Sequence, residues 1–261
     1  MQFRVLGNVE VETENCVIGI SSAPVRGLLA TLILEEGRVV LVRHLLESLW
    51  DRPPRSARNN LRLHVARLRR QLGAACPGMK ERLVTVSGAG GAGYGLRADP
   101  AELDVSVFRR LSLRGDIERQ ERRYADAERT LAEALAIWRG PAFQDCTASE
   151  QLRSRFETLE ELRLTVRERL AEVRIALGRT TDLVPEIHDL LRIAPFRETS
   201  HANLIRARYL AGDVDGAFRT WSLAATTLRE ELGVEPSAEL CDLQHAMLRR
   251  DREAVQVPRR D

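Results

Sequence analysis

The chain has almost no lysine: Lys80 stands alone against 39 arginines. GC-rich coding produces that imbalance, so no arginine is marked out by its residue type alone. The four cysteines, Cys16, Cys76, Cys146 and Cys241, lie far apart and form no CxxC pair, which excludes a zinc spacing and a disulfide framework. The five histidines are scattered, and none sits in an HExxH arrangement. No apolar run reaches the eighteen or so residues of a membrane span. The N-terminus, Met1-Gln2-Phe3-Arg4-Val5-Leu6-Gly7, lacks the basic and long apolar regions of a secretory signal. No nucleophile–base pair, phosphate loop or metal spacing is present. The expectation is a soluble cytoplasmic protein that is not an enzyme, with no catalytic residue, no cofactor, no metal and no membrane partner.

What is present is a chain of 261 residues, 44% apolar and 30% charged, enough for one large domain or two ordinary ones. The net charge of +2 hides an asymmetry. Residues 1–100 hold 14 basic and 9 acidic residues, and residues 101–261 hold 26 and 29. Within the first part, residues 52–72 carry seven arginines and no acid: Arg52, Arg55, Arg58, Arg62, Arg67, Arg69 and Arg70. A solvated helix face normally interleaves Glu and Asp to gain i,i+4 pairs. A purely basic stretch of this length points to a polyanion.

The chain opens with strand signals. Phe3, Val5, Val9 and Val11 alternate with polar residues around a Gly7-Asn8 turn, and residues 16–20 read as a third short strand. Ser21 and Ser22 before Pro24 mark the entry to a helix over 25–36, stopped by Gly37. An extended piece at 38–40 and a helix over 42–50 follow. Pro53-Pro54 breaks the chain, and Ser56 caps a third helix that ends at Gly73. Residues 83–86 and 94–97 then read as a hairpin. This order predicts a winged helix-turn-helix of α+β class behind an N-terminal sheet, with the third helix entering a DNA groove.

At 100° per residue, Leu61, Val65, Leu68 and Leu72 fall within about 60° of one another and bind this helix to its domain. The opposite side carries Asn59, Arg62, Leu63, Ala66, Arg67 and Arg70. Guanidinium can take guanine O6 and N7, an amide can take adenine N6 and N7, and an apolar tip can meet a thymine methyl. The alternative for Leu63 is that it fills a gap under the wing. One motif is set aside. Residues 88–93 match GxGxxG, but a dinucleotide site needs a helix starting there, and Tyr94-Gly95-Leu96-Arg97 is strand-like.

From Leu103 onward the pattern is helical. Ala176-Leu177-Gly178 recurs as Leu210-Ala211-Gly212, and Leu183-Val184 as Ala217-Phe218, at a spacing of 34. That is the period of tetratricopeptide helix pairs, and residues 124–138 resemble the same unit. The expected division is a winged DNA-binding domain over 1–98, an all-α helical-repeat domain over 99–255 and a tail over 256–261. Such stacks expose a groove for peptides or partner subunits, or pack with no ligand.

Several strings resemble the Streptomyces antibiotic regulatory proteins over residues 2–250. They include Pro24-Val25-Arg26-Gly27, Gly37-Arg38-Val39-Val40, Leu49-Trp50, Pro53-Pro54-Arg55-Ser56-Ala57 and Val65-Ala66-Arg67-Leu68-Arg69-Arg70. The second half adds Leu103-Asp104-Val105, Ile137-Trp138-Arg139-Gly140-Pro141 and Glu230-Glu231-Leu232-Gly233-Val234-Glu235-Pro236. The resemblance implies a winged helix of response-regulator type followed by a bacterial transcriptional activation domain. It implies an activator of antibiotic biosynthesis genes that binds direct repeats in double-stranded DNA and recruits RNA polymerase holoenzyme with its sigma factor. Two protomers would share each site. The family's wing often carries an Arg near its tip, and residues 87–93 here carry none. No receiver, nucleotide-binding or sensor module is visible, so phosphorylation and ATP-dependent control are not expected.

The candidate DNA-binding set is therefore Arg58, Asn59, Asn60, Arg62, Leu63, Ala66, Arg67 and Arg70 on the third helix, with Tyr94 and Arg97 on the hairpin. The resemblance places Asp51, Arg52 and Arg55, between the second and third helices, near the polymerase. A helical adaptor that binds protein or RNA is the alternative from another class. Repression instead of activation also stays open, because a winged helix does not fix the sign.

Overall fold

The computed structural model describes residues 1–256 apart from 15, 76–77, 89–90 and 147–148. Strands β1 (Gln2–Arg4), β2 (Glu10–Glu12) and β3 (Val17–Gly19) pair antiparallel in chain order. Helix α1 (Ala23–Leu34) follows, then β4 (Val40–Leu41), α2 (Val42–Leu49) and α3 (Ala57–Ala75). Strands β5 (Leu83–Gly88) and β6 (Gly91–Leu96) form the hairpin, and β4 pairs with the far edge of β6. This is the winged helix-turn-helix that the sequence predicts.

Local differences have physical causes. Pro24 sits in the first turn of α1, which starts at Ala23 on the backbone of Ser22; the Ser22 hydroxyl makes no cap hydrogen bond. Trp50 falls outside α2 with extended backbone and stacks on His64 of α3 at a centroid distance of 5.9 Å. The glycine-rich stretch belongs to the sheet. A Cβ on Gly93 would meet Val39 Cγ1 and the Val40 carbonyl oxygen at 2.8 Å, so β4 approaches β6 only because no side chain intervenes. The hairpin turn at 89–90 lies outside the described residues.

The remaining helices are α4 (Asp104–Gln120), α5 (Tyr124–Ala136), α6 (Glu150–Ala176), α7 (Leu183–Ile193), α8 (Glu198–Leu210), α9 (Val214–Thr227), α10 (Ala238–Leu248) and α11 (Arg252–Gln256). The chain divides into two compact units, one of 1–112 with 133–163 and one of 113–132 with 164–261.

In the first unit the N-terminal sheet is tied to later segments through its backbone. The buried Asp104 carboxylate accepts the N–H groups of Val5 and Leu6 at 2.8 and 2.9 Å, with Arg139 Nη2 at 3.4 Å. Burial pushes the Asp104 pKa up, while these two amides and Arg139 pull against it. The Arg139 N–H donates to the Leu6 carbonyl, and the Phe143 N–H to those of Val5 and Gly7. Trp138 meets Phe108 edge-on at 5.2 Å and carries the Arg163 guanidinium 4.5 Å above its ring.

In the second unit, Ile175, Leu183, Ile187 and Leu204 join α6, α7 and α8 in one apolar cluster. A second cluster, of Ile205, Ala217, Leu228, Leu243 and Met247, joins α8, α9, the helical turn Leu228–Leu232 that follows α9, and α10. Four helix pairs close on the same turn. After α6, Gly178 N–H bonds the carbonyl three residues back and Arg179 N–H the one five back; Gly212 and Asp213 repeat this after α8. Arg122 and Arg123 do so after α4, and Arg250 and Asp251 after α10. Each turn needs a left-handed residue, and the four take φ values of 58°, 74°, 91° and 56° in chain order. At this position two pairs therefore carry glycine and two carry arginine.

A Cβ at Gly212 would touch nothing within 4 Å, so only backbone strain opposes a side chain there. Gly212→Ala is expected to lower unfolding stability by about 1 kcal/mol, and Arg250→Gly to raise it by a similar amount. Urea unfolding of the two variants checks both signs. A loss of stability in Arg250→Gly contradicts the shared-turn account.

Candidate nucleic-acid interface

Helix α3 is split along its length. Leu61, Val65, Leu68 and Leu72 are each no more than 2% exposed, and they fix its rotation against the first unit. Arg58, Asn59, Arg62, Leu63, Ala66, Arg67 and Arg70 are exposed, and Asn60 is half-buried. Leu63 is 57% exposed, so it fills no gap beneath the wing.

Charge pairing is absent along this face among the described residues. Many arginines elsewhere find carboxylates, such as Arg26 with Asp145 at 3.1 Å, Arg155 with Glu35 at 2.7 Å, and Arg119 with Asp116 and Glu172, while scattered ones such as Arg38, Arg110 and Arg153 do not. Among the described residues, Arg58, Arg62, Arg67 and Arg70 have no ion pair. The physical reason is the absence of any acid between residues 52 and 72. Unneutralised guanidiniums on one rigid face form an electrostatic footprint for phosphates and guanine edges.

Arg69 is the exception within the basic block. Its Nε and Nη2 donate to the Leu83 carbonyl at 3.1 and 2.7 Å, and Nη2 also donates to Thr85 Oγ1 at 2.8 Å. It clamps α3 to β5 and so sets the angle between helix and wing. His64 is half-buried behind the same helix. Burial and the neighbouring Arg67 charge hold it below the usual imidazole range, so it stacks on Trp50 as a neutral ring.

Between the start of α3 and the wing lies a cleft of about 440 Å³. Arg58 and Arg62 line it from α3, Tyr94 from β6, and Thr85 and Ser87 from β5. Arg43 of α2 joins them. Sequence reasoning missed Arg43 because only the fold brings the start of α2 beside the wing. Arg97 is exposed just beyond β6, at the end of the hairpin away from the turn, and is not part of this lining.

Asp51, Arg52 and Arg55 are all exposed in the α2–α3 loop. Asp51 is engaged within the chain: its Oδ1 accepts the Glu150 N–H at 2.6 Å at the first turn of α6. Beside it, Ser149 Oγ donates to the Ser48 carbonyl at 2.7 Å. The loop is thus held at its start, with Arg52 and Arg55 left outward. Among the described residues, no helix is long and apolar enough to cross a membrane.

Two family models match the chain. "Bacterial transcriptional activator domain" covers residues 103–248, and "Transcriptional regulatory protein, C terminal" covers residues 22–94. Regulatory protein DnrI of Streptomyces peucetius is 36% identical over 259 residues, spanning 96% of this chain and 93% of that protein. Transcriptional regulator RedD of Streptomyces coelicolor is 32% identical over 263 residues, spanning 99% of this chain and 73% of that protein. The solved structure of Mycobacterium tuberculosis EmbR in complex with a low affinity phosphopeptide is similar at a TM-score of 0.87 and 28% identity. That match covers 98% of this chain and 68% of the other. Matches that run nearly end to end, through winged helix and helical pairs alike, establish that the chain belongs to the Streptomyces antibiotic regulatory protein family of transcriptional regulators.

Proposed function

We propose that the chain activates transcription of a secondary-metabolite biosynthetic gene cluster. It places α3 in the major groove of direct repeats upstream of the promoters and recruits RNA polymerase holoenzyme. The observation that carries this reading is the unpaired arginine face of α3, which combines guanidinium, amide and small apolar groups on an exposed side. Asn59, Arg62, Leu63, Ala66, Arg67 and Arg70 face the groove, where they meet base edges or the adjoining phosphates, and Ala66 allows close approach. Arg58, Asn60 and Tyr94 contact the flanking backbone with Arg43, and Arg97 lies at the margin of the footprint. In the cell this chemistry requires no cofactor.

One α3 reads only a few base pairs, which gives little discrimination in a genome. Direct repeats therefore take two protomers, head to tail on one face of the duplex and roughly one helical turn apart. The α2–α3 loop then presents Arg52 and Arg55 to the sigma factor. Asp51 acts by anchoring this loop to α6, so the activation domain holds the loop that faces the polymerase.

Arg62→Ala, Arg67→Ala and Arg70→Ala are expected to separate into two classes in a shift assay against operator and random duplex. Loss of a base contact costs about 1–3 kcal/mol and relaxes specificity at one position. Loss of a phosphate contact weakens all sequences alike and reduces the salt slope by about one. Wild-type binding by all three variants means that another surface reads the DNA. Inserting half a helical turn between the repeats is expected to abolish cooperative binding, measured by footprint titration. Undiminished cooperativity contradicts paired protomers on one face.

A further inference from the structure

The second unit holds a pocket of about 330 Å³ formed by α7, α8 and α9, remote in sequence from the arginine face of α3. Leu191, Leu204 and Leu223, one from each helix, give it apolar walls. His188, His201, Arg208 and Arg219 also line it, and no carboxylate does. The spacing explains the convergence. His188 and Leu191 are three residues apart, as are His201 and Leu204, with Arg208 one turn further on, so each helix turns one face inward. Leu223 is 64% exposed, an apolar side chain left largely uncovered by protein.

The hydrogen bonds fix the charge of the lining. His201 Nε2 lies 2.8 Å from the Pro195 carbonyl, which can only accept, so Nε2 carries the proton. Burial also lowers the His201 pKa, so this ring is neutral. Arg208 Nη2 donates to His188 Nε2 at 3.2 Å, which makes that nitrogen an acceptor. Arg208 Nη1 donates to the Gly216 carbonyl at 3.3 Å. These two acceptors hold the guanidinium in place. Asp213, half-exposed, pairs with it at 3.8 Å while also accepting the Gly216 N–H at 2.9 Å as the cap of α9, so its charge is shared between the two. Arg219 is paired more closely, with Asp215 at 2.6 Å.

We propose that this pocket binds a small, largely apolar carboxylic acid, with its carboxylate on Arg208 and its hydrocarbon body against Leu191, Leu204 and Leu223. One guanidinium whose carboxylate partner, Asp213, is 3.8 Å away and open to solvent matches a monoanion better than a phosphate dianion, because a dianion would leave a charge uncompensated in a half-buried site. The volume lies at the small end of ligand pockets, which suits one or two fused rings or a short acyl chain and excludes a folded partner.

The test is calorimetric titration of the full chain with 2-naphthoate and with 2-naphthamide, its uncharged isostere. One saturable site per chain is expected for the acid, with the amide at least tenfold weaker. Arg208→Gln is expected to weaken the acid at least tenfold. Leu223→Asp is expected to do the same by placing a like charge against the carboxylate. Because Leu223 is exposed, that variant keeps the test valid even if Arg208→Gln fails to fold. The proposal is overturned if no saturable binding occurs or if the amide binds as tightly as the acid. It is also overturned if Leu223→Asp binds like wild type, or if an acidic hexapeptide rich in Glu and Leu displaces the naphthoate at lower concentration than unlabelled acid.

Discussion

The burial of four side chains on α3 is the constraint from which the rest of the interface follows. Leu61, Val65, Leu68 and Leu72 are almost wholly removed from solvent. Burying each is worth about 1.5–3 kcal/mol, which is far more than one surface ion pair. No rearrangement of surface charge can therefore rotate the helix. Every residue half a turn away must face outward, including four arginines that lack partners. Arg69, at the boundary between the two faces, is close enough to β5 to be used as a clamp. Helix, wing and cleft are set by one apolar stripe and one guanidinium.

The strings that carry the family resemblance in the second half are mostly packing devices. Asp104 gathers two backbone amides of the N-terminal sheet, and Arg139 adds its own N–H to the Leu6 carbonyl. Trp138 fills the space between Phe108 and the Arg163 guanidinium. In the last string, Gly233 takes φ 69° to end a helix, and Glu235 receives Arg229 through both carboxylate oxygens at 2.9 and 3.0 Å from Nε. These residues are specific because their geometry is demanding. A buried carboxylate that lost its amides would leave several polar groups unsatisfied at about 1–3 kcal/mol each.

Periodicity made α3 legible, because an amphipathic helix writes its buried face directly into residue spacing. The hairpin was legible for a similar reason: the residues after the glycines alternate as a strand, and Gly93 proves to be a close approach of β4. Two of the four helix pairs were legible through Gly178 and Gly212, and part of the first through the likeness of residues 124–138 to the same unit. The turns after α4 and α10 were not, because Arg122 and Arg250 occupy the same left-handed position without advertising it. Arg43 and the anchoring role of Asp51 were invisible for a different reason. Each depends on a neighbour distant in sequence, and a pairing such as Asp51 with Glu150 leaves no local pattern.

The central claim is that the exposed face of α3 reads the major groove. Dimethyl sulfate footprinting tests it directly, since the reagent methylates guanine N7 in the major groove and adenine N3 in the minor groove. On operator DNA bound by the full chain, the account predicts guanine N7 protection within each repeat, in two clusters about one helical turn apart. Protection confined to adenine N3, with guanine N7 as reactive as in free DNA, would contradict it.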